Sequence, residues 1–390
     1  MRYWRLLLFI SVAELFAMSL WFSASAVIES LVRYWDLTVW QSSSMTVAVQ
    51  IGFIIGAFGS SLLGLQDRYS SRKIFIWAGL FGAGMNVLLI ITSSANIAIL
   101  LRLLTGIALA GIYPTAVKLI STAYEKQRGF AIGVSIAALT VGSAMPHLIR
   151  FFFQQIEWQI VIISSSILAL FASLIMLFFV SEPRKIAHTT EVSFKIFKEV
   201  ISNKPVMLAN YGYFGHMWEL YAMWTWMPLF LGVAITKSHS SMSLAMSSIL
   251  AFFIIGIAGG VGSIIGGYVA ERIGKTKLTI YAMAISATCA ILIGLTLQRS
   301  IWLTVLLALI WGASVIADSG QFSAIITEFA QDHTVGTALA FQMAVGYVIT
   351  IISINLITEL EKLIGWQFVF TSLAIGPILG MIAMVRLQKY

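Results

Sequence analysis

Charge is what this 390-residue chain has least of: Asp, Glu, Lys and Arg make up 10% of it, against 59% apolar residues. A soluble protein carries about 25% charge. A water-facing surface therefore cannot be built from this composition, and most of the exterior must face lipid. A single cysteine, Cys289, lies inside an apolar run, which excludes a disulfide framework and a CxxC metal site and reads as a packed thiol. No H-E-x-x-H or G-x-S-x-G stretch occurs, and no pairing of nucleophile and base marks an enzyme. Gly274-Lys275-Thr276 echoes the end of a phosphate-binding loop, but the earlier glycine that such a loop needs would fall at Val269, so nucleotide binding is set aside. The basic excess, 24 Lys and Arg against 16 Asp and Glu, is too dilute for the dense patch that a nucleic acid requires. Neither a cofactor nor a metal is expected.

What the chain does have is long apolar runs. They fall at about 5–30, 42–65, 73–94, 97–122, 128–153, 157–181, 205–234, 242–270, 276–297, 300–326, 334–358 and 365–387, each long enough for a hydrocarbon core about 30 Å thick. In lipid every backbone group needs an internal partner, so these runs read as twelve transmembrane helices. The start, Met1-Arg2-Tyr3-Trp4-Arg5 before an apolar run and Ser23-Ala24-Ser25-Ala26, imitates a signal peptide, but Glu14 in mid-run argues for a retained first helix. An even count puts both termini on one side. Most Lys and Arg fall on that side, while Arg33, Arg150, Lys237, Arg299 and Lys362 fall opposite, so both termini are expected in the cytoplasm of a cell (inner or plasma) membrane.

The longest connection, residues 182–204, is polar and divides the runs six and six. It reads as a cytoplasmic linker between a bundle at 1–181 and a second at 205–390, and Val192 to Val200 is amphipathic enough to lie as a short helix on anionic headgroups, with a solvated loop as the other reading. The halves repeat each other. Glu14-Leu15-Phe16-Ala17-Met18 in the first run returns as Glu219-Leu220-Tyr221-Ala222-Met223 in the seventh, Asp67-Arg68 returns as Glu271-Arg272, and Trp158-Gln159 returns as Trp366-Gln367. The near-constant offset means two parallel six-helix halves related by an axis along the membrane normal.

The connection after the second run reads Leu63-Gly64-Leu65-Gln66-Asp67-Arg68-Tyr69-Ser70-Ser71-Arg72-Lys73, and that after the eighth Gly267-Tyr268-Val269-Ala270-Glu271-Arg272-Ile273-Gly274-Lys275-Thr276-Lys277. Both resemble the G-x-x-x-D/E-R-x-G-R/K-x-R/K loop signature of the major facilitator superfamily. The second copy fits fully, while the first departs from it at Leu63, Ser70 and Ser71. Arg102-Leu103-Leu104-Thr105-Gly106 is similar to that family's fourth-helix R-x-x-x-G, and Ser181-Glu182-Pro183 resembles a common ending of its sixth helix. The fifth run lacks the G-P-x-x-G-G pattern of many drug–proton antiporters. The resemblance implies a gate built on Asp67, Arg68, Arg72, Glu271, Arg272 and Lys275, with Asp67 latching the cytoplasmic side, whereas the residues alone also fit a tight loop that sets topology.

Ionisable groups at a helix centre in the bilayer cost at least about 2.5–3.5 kcal/mol, which makes Glu14, Arg102, Lys118, Glu219 and Asp318 functional candidates. Met18, Trp21 and Ser25 share a helical face with Glu14, and His216, Met223 and Trp226 share one with Glu219. The resemblance implies that the first, fourth, seventh and tenth helices line a central cavity. That makes Trp21, Tyr113, His216, Trp226 and Gln321 the candidate substrate contacts and Glu14, Glu219, Asp318 and Arg102 the candidate proton groups. The other reading places each Glu as a paired carboxylate inside its own half, and lets Arg102 snorkel outward. His216, one turn from Glu219, favours Glu219 as the structurally paired member. Lys118 and Asp318, at similar depth in opposite halves, form a candidate interdomain pair.

The resulting expectation is a secondary active transporter, since a chain without nucleotide motifs is left with ion gradients as its energy source. It would be a monomer moving a small solute between two bundles by alternating access, with Glu14 carrying the coupling proton, and with protons and membrane lipids as its other partners. A gradient-independent facilitator, or a receptor or scaffold of the same fold, is the alternative. Acidic and basic groups with many aromatics suit zwitterionic or amphipathic solutes.

Overall fold

A computed structural model describes residues 2–62, 65, 69–92, 94–124, 128–153, 157–181, 194–238, 241–331 and 334–390, and among them the secondary structure is entirely helical. The chain divides into two compact units, Met1–His188 and Thr189–Tyr390.

The first unit holds α1 (Arg2–Met18), α2 (Ile28–Trp35), α3 (Val39–Leu62), α4 (Ser71–Val87), α5 (Ala95–Leu109), α6 (Tyr113–Ala123), α7 (Arg128–Phe152) and α8 (Gln159–Phe179). Its helices are inverted relative to those of a soluble protein. On α8 the buried stripe is Val161, Ile162, Ser165, Ser166, Ala169, Ala172, Ser173 and Met176, spaced mostly at three and four residues. Ile167, Leu170, Phe171, Leu174, Leu177 and Phe178 point outward. Small residues turned inward let backbones approach, while large apolar ones turned outward suit lipid. The contact of α4 with α8 shows the approach: a Cβ at Gly79 would stand 2.3 Å from Ser173 Oγ, whose hydroxyl donates to Ile76 O at 3.2 Å.

The second unit holds α9 (Phe194–Ser202), α10 (Lys204–Lys237), α11 (Met246–Ala251), a π-helical segment (Phe252–Ala258), α12 (Gly259–Ile273), α13 (Lys275–Leu292), α14 (Ile301–Ala317), α15 (Ser319–Phe329), α16 (Val335–Phe368) and α17 (Ile375–Leu387). Within α16 the backbone bends at Gly365, whose φ of 68° belongs to the left-handed region that glycine adopts at no steric cost. Of the amphipathic segment of the linker, the described part from Phe194 is helical as α9, which sets the Phe197 ring 5.6 Å from Phe341.

Nine helical stretches among the described residues are long and apolar enough to cross a membrane. Three of the runs depart from an even ladder of helices. The first run stops being α-helical after Met18 and continues through tighter turns from Ser19 to a 3-10 turn at Ser25–Val27. The fourth divides between α5 and α6, with Pro114 in the first turn of α6, where a missing N–H is harmless. The tenth divides at Asp318, between α14 and α15.

One backbone contact occurs in both units. A Cβ at Gly106 on α5 would lie 2.0 Å from Val49 O on α3, and one at Gly312 on α14 would lie 2.2 Å from Ile254 O in the π-helical segment. These positions therefore correspond, and they set the register in which the units can be compared.

Candidate functional site

In the first unit two buried polar centres form on either side of the break in the first run. Glu14 on α1 is fully buried, and Ser135 Oγ on α7 donates to its Oε2 at 2.5 Å. Its Oε1 has no hydrogen-bond partner among the described residues, nor has Ser11 Oγ one turn earlier. The approach of α7 depends on Gly142, where a Cβ would stand 2.2 Å from Leu15 O. Tyr113, at the start of α6, lies within reach of the Glu14 charge.

Arg102 is the second centre. It is fully buried, so it does not snorkel outward. Its Nε donates to Met45 O at 3.3 Å, and Nη1 donates to Leu20 O at 3.0 Å, Ser23 Oγ at 3.1 Å and Asn86 Oδ1 at 3.1 Å. Its Nη2 donates to Trp21 O. Asn86 on α4 extends the network to α8 by donating to Ile162 O at 3.2 Å and Ser166 Oγ at 3.0 Å. The guanidinium thus takes the carbonyls that the first run frees when its helix ends, a negative dipole end that suits a cation. This corrects the expected face of Glu14, Met18, Trp21 and Ser25: the helix ends at Met18, so Trp21 and Ser25 leave it. Trp21 is buried with its ring 5.3 Å from Phe53. Lys118 is half-buried near the end of α6.

In the second unit Glu219 on α10 accepts from Ser286 Oγ on α13 at 2.8 Å and from Trp311 Nε1 on α14 at 2.7 Å, one donor to each carboxylate oxygen. His216 does not pair with it. The His216 Nδ1 lies 2.9 Å from Asp318 Oδ1, within ion-pair range but outside hydrogen-bond geometry, and both residues are buried. The cause is the division of the tenth run, which brings Asp318 to the end of α14 opposite α10. Gln321 is buried in the first turn of α15, its N–H donating to Asp318 O at 2.9 Å. Trp226 Nε1 donates to Ile354 O at 3.0 Å. Sequence reasoning missed Ser135, Ser286, Trp311 and Asn86, because a serine or tryptophan in an apolar run carries no mark of its partner.

Of the loop residues, Asp67 and Arg68 lie outside the described residues. Arg72 caps the end of α8 by donating to Met176 O at 3.0 Å and to Leu177 O. Lys275 pairs with Glu328 at the end of α15, Arg272 stacks on the Tyr268 ring at 4.4 Å, and Glu271 is exposed. Gly274, between α12 and α13, has a φ of 92°, which explains the glycine at that point of the signature.

This arrangement of helices is shared with known transporters. The sequence profile of the Major Facilitator Superfamily matches residues 9–354. The chain belongs to the Major Facilitator Superfamily. Among solved structures, the crystal structure of a mutant of the nucleoside transporter NupG superposes with a TM-score of 0.74 at 14% identity, covering 98% of this chain and 99% of that one, a likeness of fold. The probable sulfoacetate transporter SauU of Cupriavidus necator (strain ATCC 17699 / DSM 428 / KCTC 22496 / NCIMB 10442 / H16 / Stanier 337) is 24% identical over 251 residues. That alignment covers 58% of this chain and 57% of that relative's length. Membership of the superfamily makes the chain a multi-pass membrane protein of a transporter family.

Proposed function

We propose that the chain is a secondary active transporter that moves a small organic solute by alternating access, coupled to protons through Glu14. The observation that carries this reading is the Glu14 carboxylate, fully buried with Oε1 unbonded among the described residues. An ionised carboxylate without a full set of donors is expensive in an apolar interior, so the group alternates between binding a proton and meeting water or solute as access changes sides. The names of SauU and NupG, for sulfoacetate and nucleosides, support small polar organic solutes as the general class. The orientation with both termini in the cytoplasm of the cell membrane, a monomeric state, and the division into bundles at 1–181 and 205–390 belong to the same proposal. So do a cytoplasmic latch at Asp67 and a pairing of Lys118 with Asp318 in one state of the cycle.

The test is proton flux in proteoliposomes with a pH-sensitive dye. Wild type is expected to move protons when its solute is added and to accumulate that solute under an imposed proton gradient, while Glu14→Gln does neither. Normal uphill accumulation by Glu14→Gln would remove Glu14 from the coupling. Solute flux indifferent to the gradient in wild type would favour a facilitator, and no flux of any solute a receptor or scaffold.

A further inference from the structure

In the first unit α3 is pinned to α5 at two places. Val49 O lies against Gly106, where a Cβ would stand at 2.0 Å, and Gly56 lies against Ile107 O, at 2.8 Å by the same measure. In the second unit Ile254 O lies against Gly312 at 2.2 Å, and Gly262 against Ala313 O at 2.1 Å. Ile107 and Ala313 each follow their glycine, so the contacts correspond pair by pair. Seven positions separate Val49 from Gly56, about the content of two α-helical turns, whereas eight separate Ile254 from Gly262. The second unit therefore holds one surplus residue between the same two contacts. The π-helical segment Phe252–Ala258 absorbs it, since a turn closed at i+5 takes up one residue more than a turn closed at i+4, while α3 is α-helical throughout Val39–Leu62.

The surplus sits at a junction. Before it α11 packs against α10, whereas the π turn itself and α12 after it pack against α14. The two supports carry the polar pairs of this unit: α10 holds Glu219 and His216, and α14 holds Trp311 and ends at Asp318. Side chains do little to fix the surplus at one position. Phe253 and Ile257 point out of the unit, and Gly256, Gly259 and Gly260 have no side chain to lock. Each glycine also weakens the preference for an α-helix by about 1 kcal/mol relative to alanine.

From this we propose that the π turn is a movable joint, which passes its surplus residue to the turn before Met246 and back as access alternates. The inference rests on the proposed alternating access. When the surplus leaves, the run closes as a continuous α-helix, Ile255 takes the place of Ile254 against Gly312, and α11 turns by about 100° and advances by about 1.5 Å relative to α12. Such a register shift lets the part of the run held by α10 move against the part held by α14 without breaking either packing. The counterpart α3 has no surplus and keeps one form.

Double electron–electron resonance on the purified full chain in detergent tests this, with nitroxides at Ser247→Cys on α11 and at Arg299→Cys, exposed before α14, in a Cys289→Ser background. Two distance populations about 3–4 Å apart are expected, the displacement of a Cα at a radius of about 2.3 Å when the helix turns by about 100°. Deletion of Ile257 removes the surplus and should leave one population, with an unfolding midpoint no lower than before. Hydrogen exchange supplies a measure that needs no substitution. The amides of 252–258 are expected to exchange at least about tenfold faster than those of 47–53 in α3, and the Ile257 deletion should bring the two segments level. A single population in the undeleted chain, two populations that survive the deletion, or equal exchange of the two segments would each overturn the inference. If the deletion variant does not fold, the distances and exchange of the undeleted chain decide alone. Two populations in a chain that moves no protons with any solute would keep the joint and remove the transport reading, while one population with normal proton flux would overturn the joint and leave that reading standing.

Discussion

The two units share a scaffold and differ in their polar interiors. Each presses a glycine of one helix against a backbone carbonyl of another, at Gly106 with Val49 and at Gly312 with Ile254. One helical turn before these glycines the first unit has Arg102 and the second Ala308. Where the guanidinium is present, the first run ends its α-helix at Met18 and gives the Leu20 and Trp21 carbonyls to it; where alanine stands, α10 runs unbroken from Lys204 to Lys237. One residue before each glycine, Thr105 bonds its own helix while Trp311 reaches Glu219. Close backbone contact can be duplicated at little cost because it needs only a missing Cβ. A polar interior must be satisfied group by group, so single substitutions let the halves diverge in chemistry while keeping one architecture.

The largest expected effect follows from Arg102. Arg102→Met takes the donor away from Met45 O, Leu20 O, Trp21 O, Ser23 Oγ and Asn86 Oδ1. It should destabilise the chain by on the order of 3–5 kcal/mol, read as lost folded yield and a lowered unfolding midpoint in detergent. Arg102→Lys, with a point charge instead of a planar fork of donors, should fall between. The contrast between units fails if Arg102→Met unfolds at the wild-type temperature.

The shared scaffold is tested next. Gly106→Ala and Gly312→Ala should each cost about 1–3 kcal/mol, since a Cβ at either position would overlap a carbonyl oxygen and force the helices apart. Gly84→Ala, where nothing stands within 4 Å of the new Cβ, should be neutral or stabilising by up to about 1 kcal/mol. Thermal unfolding of the three variants ranks them; a large gap between Gly106→Ala and Gly312→Ala would mean that the contact is not equivalent in the two halves.

A smaller effect is expected from the donors to the glutamates. Trp311→Phe removes one N–H and makes Glu219 resemble Glu14, at a cost of about 1–3 kcal/mol. Ser135→Ala removes the hydroxyl that donates to Glu14 and should cost about 1 kcal/mol while changing proton flux more than stability. If Ser135→Ala left flux untouched and Trp311→Phe abolished it, the roles assigned to the two glutamates would have to be exchanged.

Much of this was legible in the residues. Apolar runs, scarce charge and the repeat of Glu14-Leu15-Phe16-Ala17-Met18 in Glu219-Leu220-Tyr221-Ala222-Met223 required a helical membrane protein of two like halves, because lipid leaves the backbone no other way to satisfy itself and duplicated halves retain their periodicity. The buried carboxylates were legible too, since an acid in an apolar run stands out by its cost. What each acid touches was not. His216 faces Asp318 instead of Glu219, and Trp21 leaves the face of Glu14, because both outcomes depend on where a helix breaks. The break at Met18 is decided by Arg102, far along the chain on another helix, whose donors make free carbonyls acceptable in a dry interior. Local sequence determines which segments become helices and which side faces lipid, through periodicity and transfer energy. Only the tertiary structure decides where those helices stop and which buried oxygen stays open, because a hydrogen bond between distant segments exists only once the helices have packed.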